Sequence, residues 1–194
     1  MLRAAASVVV VVVAVTCVAS AGCAPSWPKG LSLPEPTQTD VPAGTRPFLH
    51  KGHVVTPRAR YVLDGLVLSK TAYRFDANSD VSPVDLAVGW GPMARADVLS
   101  QLRIRQNDRY FFWSASELPV PREDIEHNAA NVHLIWSAAA VGKVVDRKDV
   151  GDVVHLEGSL VDVTFKDGHE MKTSLRRDDT GGGACEVFFV DVAR

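Results

Sequence analysis

The chain has few cysteines and almost no net charge. Only three of its 194 residues are cysteine, and Cys17 and Cys23 lie near the N-terminus, which leaves Cys185 alone in the body of the chain. A disulfide framework is therefore not expected, and a hydrophobic core must hold the fold. The formal net charge of -2 gives no general attraction to nucleic acid, so no nucleic-acid partner is expected.

Complete metal and cofactor motifs are also missing. Asp76–Asp80 resembles the start of a calcium loop, but Val81 and Ala87 stand where such a loop needs its glycine and its closing glutamate. No acidic residue or cysteine lies at a characteristic metal-ligand spacing from the histidines. We therefore expect neither a metal nor a cofactor.

A long apolar run is present at the N-terminus. Arg3 precedes residues 4–18, all of them apolar or small, and the small residues 19–22 then lead to Cys23. This pattern is typical of an export signal. Its ending resembles a bacterial lipoprotein signal, although Ser20 stands where that signal prefers leucine. The resemblance implies that residues 1–22 are removed and that lipids on Cys23 anchor the protein in the membrane.

Two other outcomes are open for this leader. The apolar run is about as long as a marginal membrane span, so it could remain as an uncleaved anchor. An ordinary signal peptidase could instead cut near Ala21 and release the chain. All three outcomes predict an exported protein whose body lies on the periplasmic or cell-envelope side of the membrane.

Prolines separate the leader from the rest of the chain. Residues 23–47 contain six prolines and few large apolar side chains. Proline lacks an amide donor and favours extended geometry. The composition therefore predicts a semi-rigid tether that lets the domain stand away from the membrane. Residues 48–194 are then expected to form a single globular domain.

Alternating apolar and polar residues indicate strands in this domain. The alternation is clearest in residues 150–163, where Gly158 interrupts it like a bulge or a barrel bend, and it recurs in residues 61–73. Asp167-Gly168 predicts a hairpin between residues 160–165 and 170–175.

Short helices are predicted between the strands. Ser82, Pro83 and Asp85 have the residue types that begin a helix. Residues 137–149 carry valines at helical spacing just before the strand at residues 150–163. We expect a mainly β fold with short helices (α+β), arranged as a small OB-like or related partly open β-barrel.

The stretch from His127 to Ile135 is chemically the richest. In a strand, His127, Asn131 and His133 would face one side, where they could bind a ligand or polarise a substrate. In a helix, His133 would turn away from the other two. A structural role, with these side chains bonding loop backbone, is the alternative. Trp90, between two glycines, is interpreted either as a core anchor or as a ligand platform.

Four motifs, taken together, resemble an uncharacterised family of bacterial exported or membrane-tethered proteins. They are W-G-P-M at Trp90–Met93, H-N-A-A-N-V-H-L-I at His127–Ile135, G-D-V-V-H-L-E-G-S-L-V at Gly151–Val161 and D-T-G-G-G-A-C-E at Asp179–Glu186. No activity is established for this family. The resemblance therefore implies a location outside the cytoplasm and brings no function with it.

Two functions follow from these features. The first is a membrane-anchored envelope lipoprotein whose β-rich domain binds a protein or glycan partner, or is structural, and catalyses no defined reaction. The alternative is a cysteine-dependent hydrolase or transferase with Cys185 as nucleophile, His127 or His133 as base and Asn131 orienting that base. Backbone amides of Gly181–Gly183 would then stabilise an oxyanion. A Cys185 buried among apolar side chains would exclude this enzyme.

Overall fold

The computed structural model describes residues 25–179, 181 and 183–194. It is mainly β with short helices, which confirms the fold class predicted from the sequence. The strands are β1 Thr37–Asp40, β2 Phe48–His50, β3 His53–Ala72, β4 Val84–Gly89, β5 Arg103–Asn107, β6 Tyr110–Ser114, β7 Ala129–Trp136, β8 Val153–Thr164, β9 Glu170–Met171 and β10 Glu186–Ala193. The helices are α1 Ala96–Leu99, α2 Arg122–Glu126 and α3 Ala139–Asp146, and Gly91–Ala94 forms a 3-10 turn.

Five of these strands form a closed circuit. Their order is β3-β4-β7-β10-β8, and β8 pairs again with β3 over twelve residue positions. β7 and β10 run parallel, whereas the other neighbours in the circuit are antiparallel. α3 connects β7 to β8. The connectivity agrees with an OB-like barrel, and this finer assignment stays a prediction because it rests on connectivity alone.

Gly158 lies at a close approach of β8 and β10. It pairs with Val190, and the register of β10 then shifts so that Val192 pairs with Glu157. A side chain at position 158 would collide with the carbonyl oxygen of Phe189. The glycine therefore allows the backbone contact opposite a bulge, and the bulge itself belongs to β10.

One hydrophobic core fills the inside of the circuit. It contains side chains from all five strands, including Tyr61, Leu86, Leu134, Leu156 and Phe188, each of them fully buried. Burying a large apolar side chain contributes roughly 1.5–3 kcal/mol to stability. Alternate residues of the same strands face the other way, and this outer face carries the polar groups described below.

β5 and β6 form a separate two-stranded ribbon against the outer face. Ile104, Phe111 and Trp113 pack against a second core. The two-residue turn of the ribbon is Asp108-Arg109, with φ of 49° and 64°. These left-handed values are typical of the hairpin turn whose twist matches that of the flanking strands.

Part of the segment predicted to be a tether, from Trp27 to Asp40, lies against the domain. Trp27, Leu31 and Leu33 pack on the second core, and Leu33 accepts a hydrogen bond from the Gly91 amide. Thr37–Asp40 then pairs with β3 as an edge strand. The prolines are compatible with extended edge backbone, and the apolar side chains between them provide the burial that attaches the segment to the domain.

The leader lies outside the described residues. The predicted signal, the lipidation of Cys23 and the uncleaved-anchor alternative all fall within residues 1–24 and stay predictions. From residue 25 to the C-terminus, apart from residues 180 and 182, the chain has no helix that is long and apolar enough to cross a membrane.

Candidate functional site

Three neighbouring strands bring Asp85, His133 and Cys185 together on the outer face. Asp85 of β4 stands directly opposite His133 of β7. In the parallel pairing of β7 and β10, Val187 stands opposite His133. Cys185 lies just before β10, two residues before Val187. In the parallel register it is therefore aligned with Asn131, two residues before His133. Because alternate residues share a face, Asn131 and His133 project to the same side as Cys185.

His133 and Asp85 form a buried pair. Nδ1 of His133 is 3.0 Å from Oδ2 of Asp85, and the two residues are 7% and 0% exposed. Neither atom has a well-aligned hydrogen bond within the part of the chain that the structure describes. The contact is therefore mainly electrostatic. A buried carboxylate of this kind needs a cation close by, because desolvation penalises an unpaired charge.

Charge neighbours decide the protonation of His133. Burial by itself would lower the pKa of this imidazole, but the contacts with Asp85 and with the sulfur of Cys185 outweigh it and raise the pKa to about 9. His133 is thus a cation at neutral pH. Nδ1 is directed at Asp85, so Nε2 is the ring nitrogen that remains for another partner.

Arg109 contacts Asp85 from the side opposite His133. Its Nη1 donates to Oδ1 of Asp85 at 3.1 Å, and its Nη2 donates to Asp76 at 2.7 Å and to the carbonyl oxygen of Ser82 at 3.0 Å. The guanidinium also lies 4.1 Å from the centre of the Tyr73 ring. The ribbon turn thereby holds a second cation against the buried carboxylate.

Cys185 lies among polar groups and is partly exposed. Its Sγ is 3.6 Å from Nδ2 of Asn131 and 3.9 Å from the carbonyl oxygen of Arg109. Asn131 is itself fixed, because its Oδ1 accepts from Gln106 at 2.7 Å and its Nδ2 donates to Arg109 O at 2.8 Å. The thiol therefore does not have the apolar burial that would exclude an enzyme.

A pocket of about 250 Å³, here called the Cys185 pocket, gives access to the sulfur. Cys185 and Asn131 line it, whereas His133 and Asp85 do not and are buried beneath. The remaining lining residues are Tyr110, Phe111, Phe112, Trp113, Glu126, Ala129, Ala130, Asp179, Gly181 and Ala184. The pocket is slightly smaller than most sites for drug-sized ligands.

Two residues singled out from the sequence lie away from this cluster. His127 follows α2 and is exposed, since β7 begins only at Ala129, so it does not share a strand face with His133. Trp90 is 1% exposed and belongs to the core inside the circuit. It is a core anchor, because a ring that solvent cannot reach offers no platform to a ligand.

Asp85, Gln106 and Arg109 complete the site and were missed in the sequence. Ser82, Pro83 and Asp85 predict a helix start, but residues 84–89 form β4. The available signal was a single acid inside an apolar run, V-D-L-A-V, where a buried charge needs a partner. Nothing local to Gln106 or Arg109 indicated that the ribbon turn would reach Asp85.

No family model, curated protein or solved structure matches this chain. Within residues 25–179, 181 and 183–194, no group of three or more histidine, cysteine or acidic side chains is arranged to hold a metal ion.

Proposed function

We propose that this protein is an exported, membrane-tethered enzyme that uses Cys185 as a nucleophile in acyl transfer or hydrolysis. The observation that carries the proposal is the line Asp85–His133–Cys185, which starts at a fully buried carboxylate and ends at a thiol in a pocket. A nucleophile, a base and a group that orients the base are the minimal parts of such a site.

In the proposed reaction the thiol proton leaves to solvent, because His133 is already protonated, and the sulfur attacks as a thiolate beside the imidazolium. It attacks the carbonyl carbon of an ester, thioester or amide, and the carbonyl electron pair moves to oxygen. When the C–O, C–S or C–N bond breaks, His133 gives a proton to the leaving group, and an acyl-cysteine and a neutral imidazole remain. His133 then takes a proton from water or from an acceptor alcohol or amine as its oxygen or nitrogen attacks the acyl-cysteine, and the C–S bond breaks to release the acyl group and restore the thiolate and the imidazolium.

Other residues of the site have supporting roles in this proposal. Asp85 holds the imidazole in place and stabilises its positive charge. Nδ2 of Asn131 is the amide donor beside the sulfur, so it is a candidate to stabilise the oxyanion. Its fixed bonds to Gln106 and Arg109 mean that little reorganisation is needed during the reaction.

The test is the alkylation rate of Cys185 in the full-length chain in detergent, followed by mass spectrometry of the peptide that carries it. We expect the folded protein to react with iodoacetamide at least about ten-fold faster near pH 7 than the denatured protein, because the cationic imidazole stabilises the negative charge on the attacking sulfur. His133→Gln should remove this advantage. His127→Gln is the matched control and should keep it.

A slower reaction in the folded protein than in the denatured protein would contradict the proposal. The second candidate, a domain that binds an envelope protein or a glycan, would then take its place. The aromatic wall of the Cys185 pocket, Tyr110–Trp113, supports that candidate, since aromatic side chains provide most of the contact energy in binding sites. Binding of this kind needs nothing from the thiol and should survive Cys185→Ser.

A further inference from the structure

The outward face of the β5–β6 ribbon combines arginine and aromatic side chains. Residues alternate between exposed and partly buried along both strands. Arg105 stands opposite Phe112 and Asn107 opposite Tyr110, so these four side chains share the face that points away from the domain. Tyr110 and Phe112 are 44% and 53% exposed, so two aromatic side chains of this face are accessible to solvent.

The charge of this face is not neutralised within the domain. Arg103 and Arg105 have no ion-pair partner among the described residues, whereas the exposed Arg58, Arg95 and Arg122 each pair with a carboxylate. The acid nearest in sequence is Asp108 at the turn, which accepts a hydrogen bond from Asn107. The ribbon is therefore locally basic although the whole chain has a net charge of -2.

A protruding phenylalanine lies in the loop beside the ribbon turn. Phe75 is 97% exposed, and the neighbouring Asp76 is held by Nε and Nη2 of Arg109 at 2.7–3.2 Å. Arg74 precedes it and is also exposed. The loop and the ribbon turn are thus fixed to one another, and both carry an aromatic side chain next to an arginine.

We propose that this surface, defined by Arg103, Arg105, Tyr110 and Phe112 and extended by Phe75, docks on a membrane that contains anionic phospholipid. Arginine side chains bind headgroup phosphates, and each cation near an anionic surface strengthens the attraction several-fold. Tyrosine and phenylalanine are enriched where protein meets the interface between headgroups and acyl chains. A surface with unpaired arginines beside exposed aromatic rings can therefore contact the headgroup phosphates and the boundary with the acyl chains at the same time.

Docking in this way would bring the Cys185 pocket to the membrane surface, because Tyr110 and Phe112 also line that pocket. The docking surface does not depend on thiol chemistry. Cys185→Ser should leave it unchanged, so failure of one proposal can be distinguished from failure of the other.

The test uses the full-length chain reconstituted in vesicles, with the photo-crosslinker p-benzoylphenylalanine in place of Phe112. Because the leader can insert into any vesicle, the readout is the crosslink from residue 112 to lipid and not vesicle binding itself. The control has the same crosslinker in place of Leu49, which is 73% exposed in β2. Vesicles of phosphatidylcholine alone are compared with vesicles that also contain phosphatidylglycerol.

We expect roughly ten-fold more lipid adduct from residue 112 than from residue 49 in the anionic vesicles, and a large part of this excess should disappear in phosphatidylcholine. Arg103→Glu with Arg105→Glu should reduce the adduct to the level of residue 49. High salt should reduce the adduct from residue 112 to the same level in the protein that keeps Arg103 and Arg105. This second measurement decides the question if the double variant fails to fold. Equal adducts from residues 112 and 49, or an excess that is insensitive to lipid charge and to salt, would overturn the proposal.

Discussion

Cys185 and Glu186 are consecutive residues, but they belong to two different polar clusters. Cys185 faces outward to His133 and Asp85 and lines a pocket. Glu186 is 3% exposed and faces the inside of the circuit, where Arg177 lies 3.5 Å from its carboxylate and 4.8 Å from the centre of the Tyr61 ring. Both clusters place an ionisable group at one of two adjacent positions of the same chain segment.

The clusters differ in how closely their members are bonded. Around Asp85, the contacts with Arg109 and His133 measure 3.0–3.1 Å. Around Arg177, the contacts with Glu186 and Glu35 measure 3.5 and 3.7 Å. Both clusters contain buried polar atoms without a well-aligned hydrogen bond among the described residues, Oδ2 of Asp85 and Nδ1 of His133 in the first and the Tyr61 hydroxyl in the second. The first cluster lies beneath the Cys185 pocket, whereas the second joins Arg177 to Glu186 and to Glu35 of the N-terminal segment.

Protonation separates the clusters further. Burial raises the pKa of Glu186 to about 8, although Arg177 acts in the opposite direction. Glu186 is therefore largely neutral at pH 7, whereas His133, with a pKa of about 9, is charged. The comparison predicts that removing a charged group from the first cluster lowers the stability of the fold strongly, whereas removing the carboxylate from the second lowers it little or not at all.

The largest effect is expected from Asp85→Ala. The change leaves Arg109 and His133 buried or half-buried without their shared carboxylate, and losing one partner of a buried ion pair costs about 3–5 kcal/mol. Urea denaturation of the full-length chain in detergent, followed by tryptophan fluorescence, measures this loss. The control is Asp97→Ala, an exposed acid paired with Arg95, which should leave the midpoint unchanged. Equal midpoints for the two variants would contradict the comparison.

An intermediate effect is expected from pH. The folded-state pKa values of His133 and Glu186 both lie above their ordinary values of 6.5 and 4.5, so the folded protein binds more protons than the unfolded chain. The contribution of His133 is complete below pH 6.5 and is lost as pH rises through about 9. That of Glu186 is complete below pH 4.5 and is lost through about 8. Each group should lower the free energy of unfolding by on the order of 3 kcal/mol between about pH 6 and 9.

Denaturation curves at several pH values check this slope. His133→Gln and Glu186→Gln should each flatten the curve, because each removes one group that releases a proton on unfolding. A stability that rises between pH 6 and 9 would show that neither group titrates as described.

Local patterns predicted the strands well and the site poorly. The alternation at residues 150–163 corresponds to β8 at Val153–Thr164, and the helical spacing at residues 137–149 corresponds to α3 at Ala139–Asp146. The hairpin at Asp167-Gly168 is present, but its second strand is only Glu170–Met171. Side-chain periodicity and turn chemistry are properties of neighbouring residues, so one sequence is enough to read them.

The site depends on pairings between distant residues. Asn131 and His133 were expected on one face, and they share it, but Cys185 joins them only because β10 pairs in parallel with β7. Asp85 was interpreted as part of a helix start, because serine, proline and aspartate before an apolar run suit a helix as well as a strand. Residues 84–89 form a strand because they pair with β3 and β7, and no local sequence pattern contains that information.

The smallest loss of stability is expected from Glu186→Gln, and it is the sharpest check on the difference between the clusters. At about pH 7 Glu186 is mostly neutral in the folded protein but ionised in the unfolded chain, so the glutamine avoids this cost and the free energy of unfolding should rise, by up to about 3 kcal/mol. At about pH 9 the unaltered protein must also keep an ionised Glu186 almost without solvent contact, and the advantage of the variant should then be larger. A loss above roughly 2 kcal/mol at pH 7 would mean that Glu186 is ionised and paired with Arg177. The inner cluster would then resemble Asp85 and its partners, and access to a pocket would be the one difference left between them.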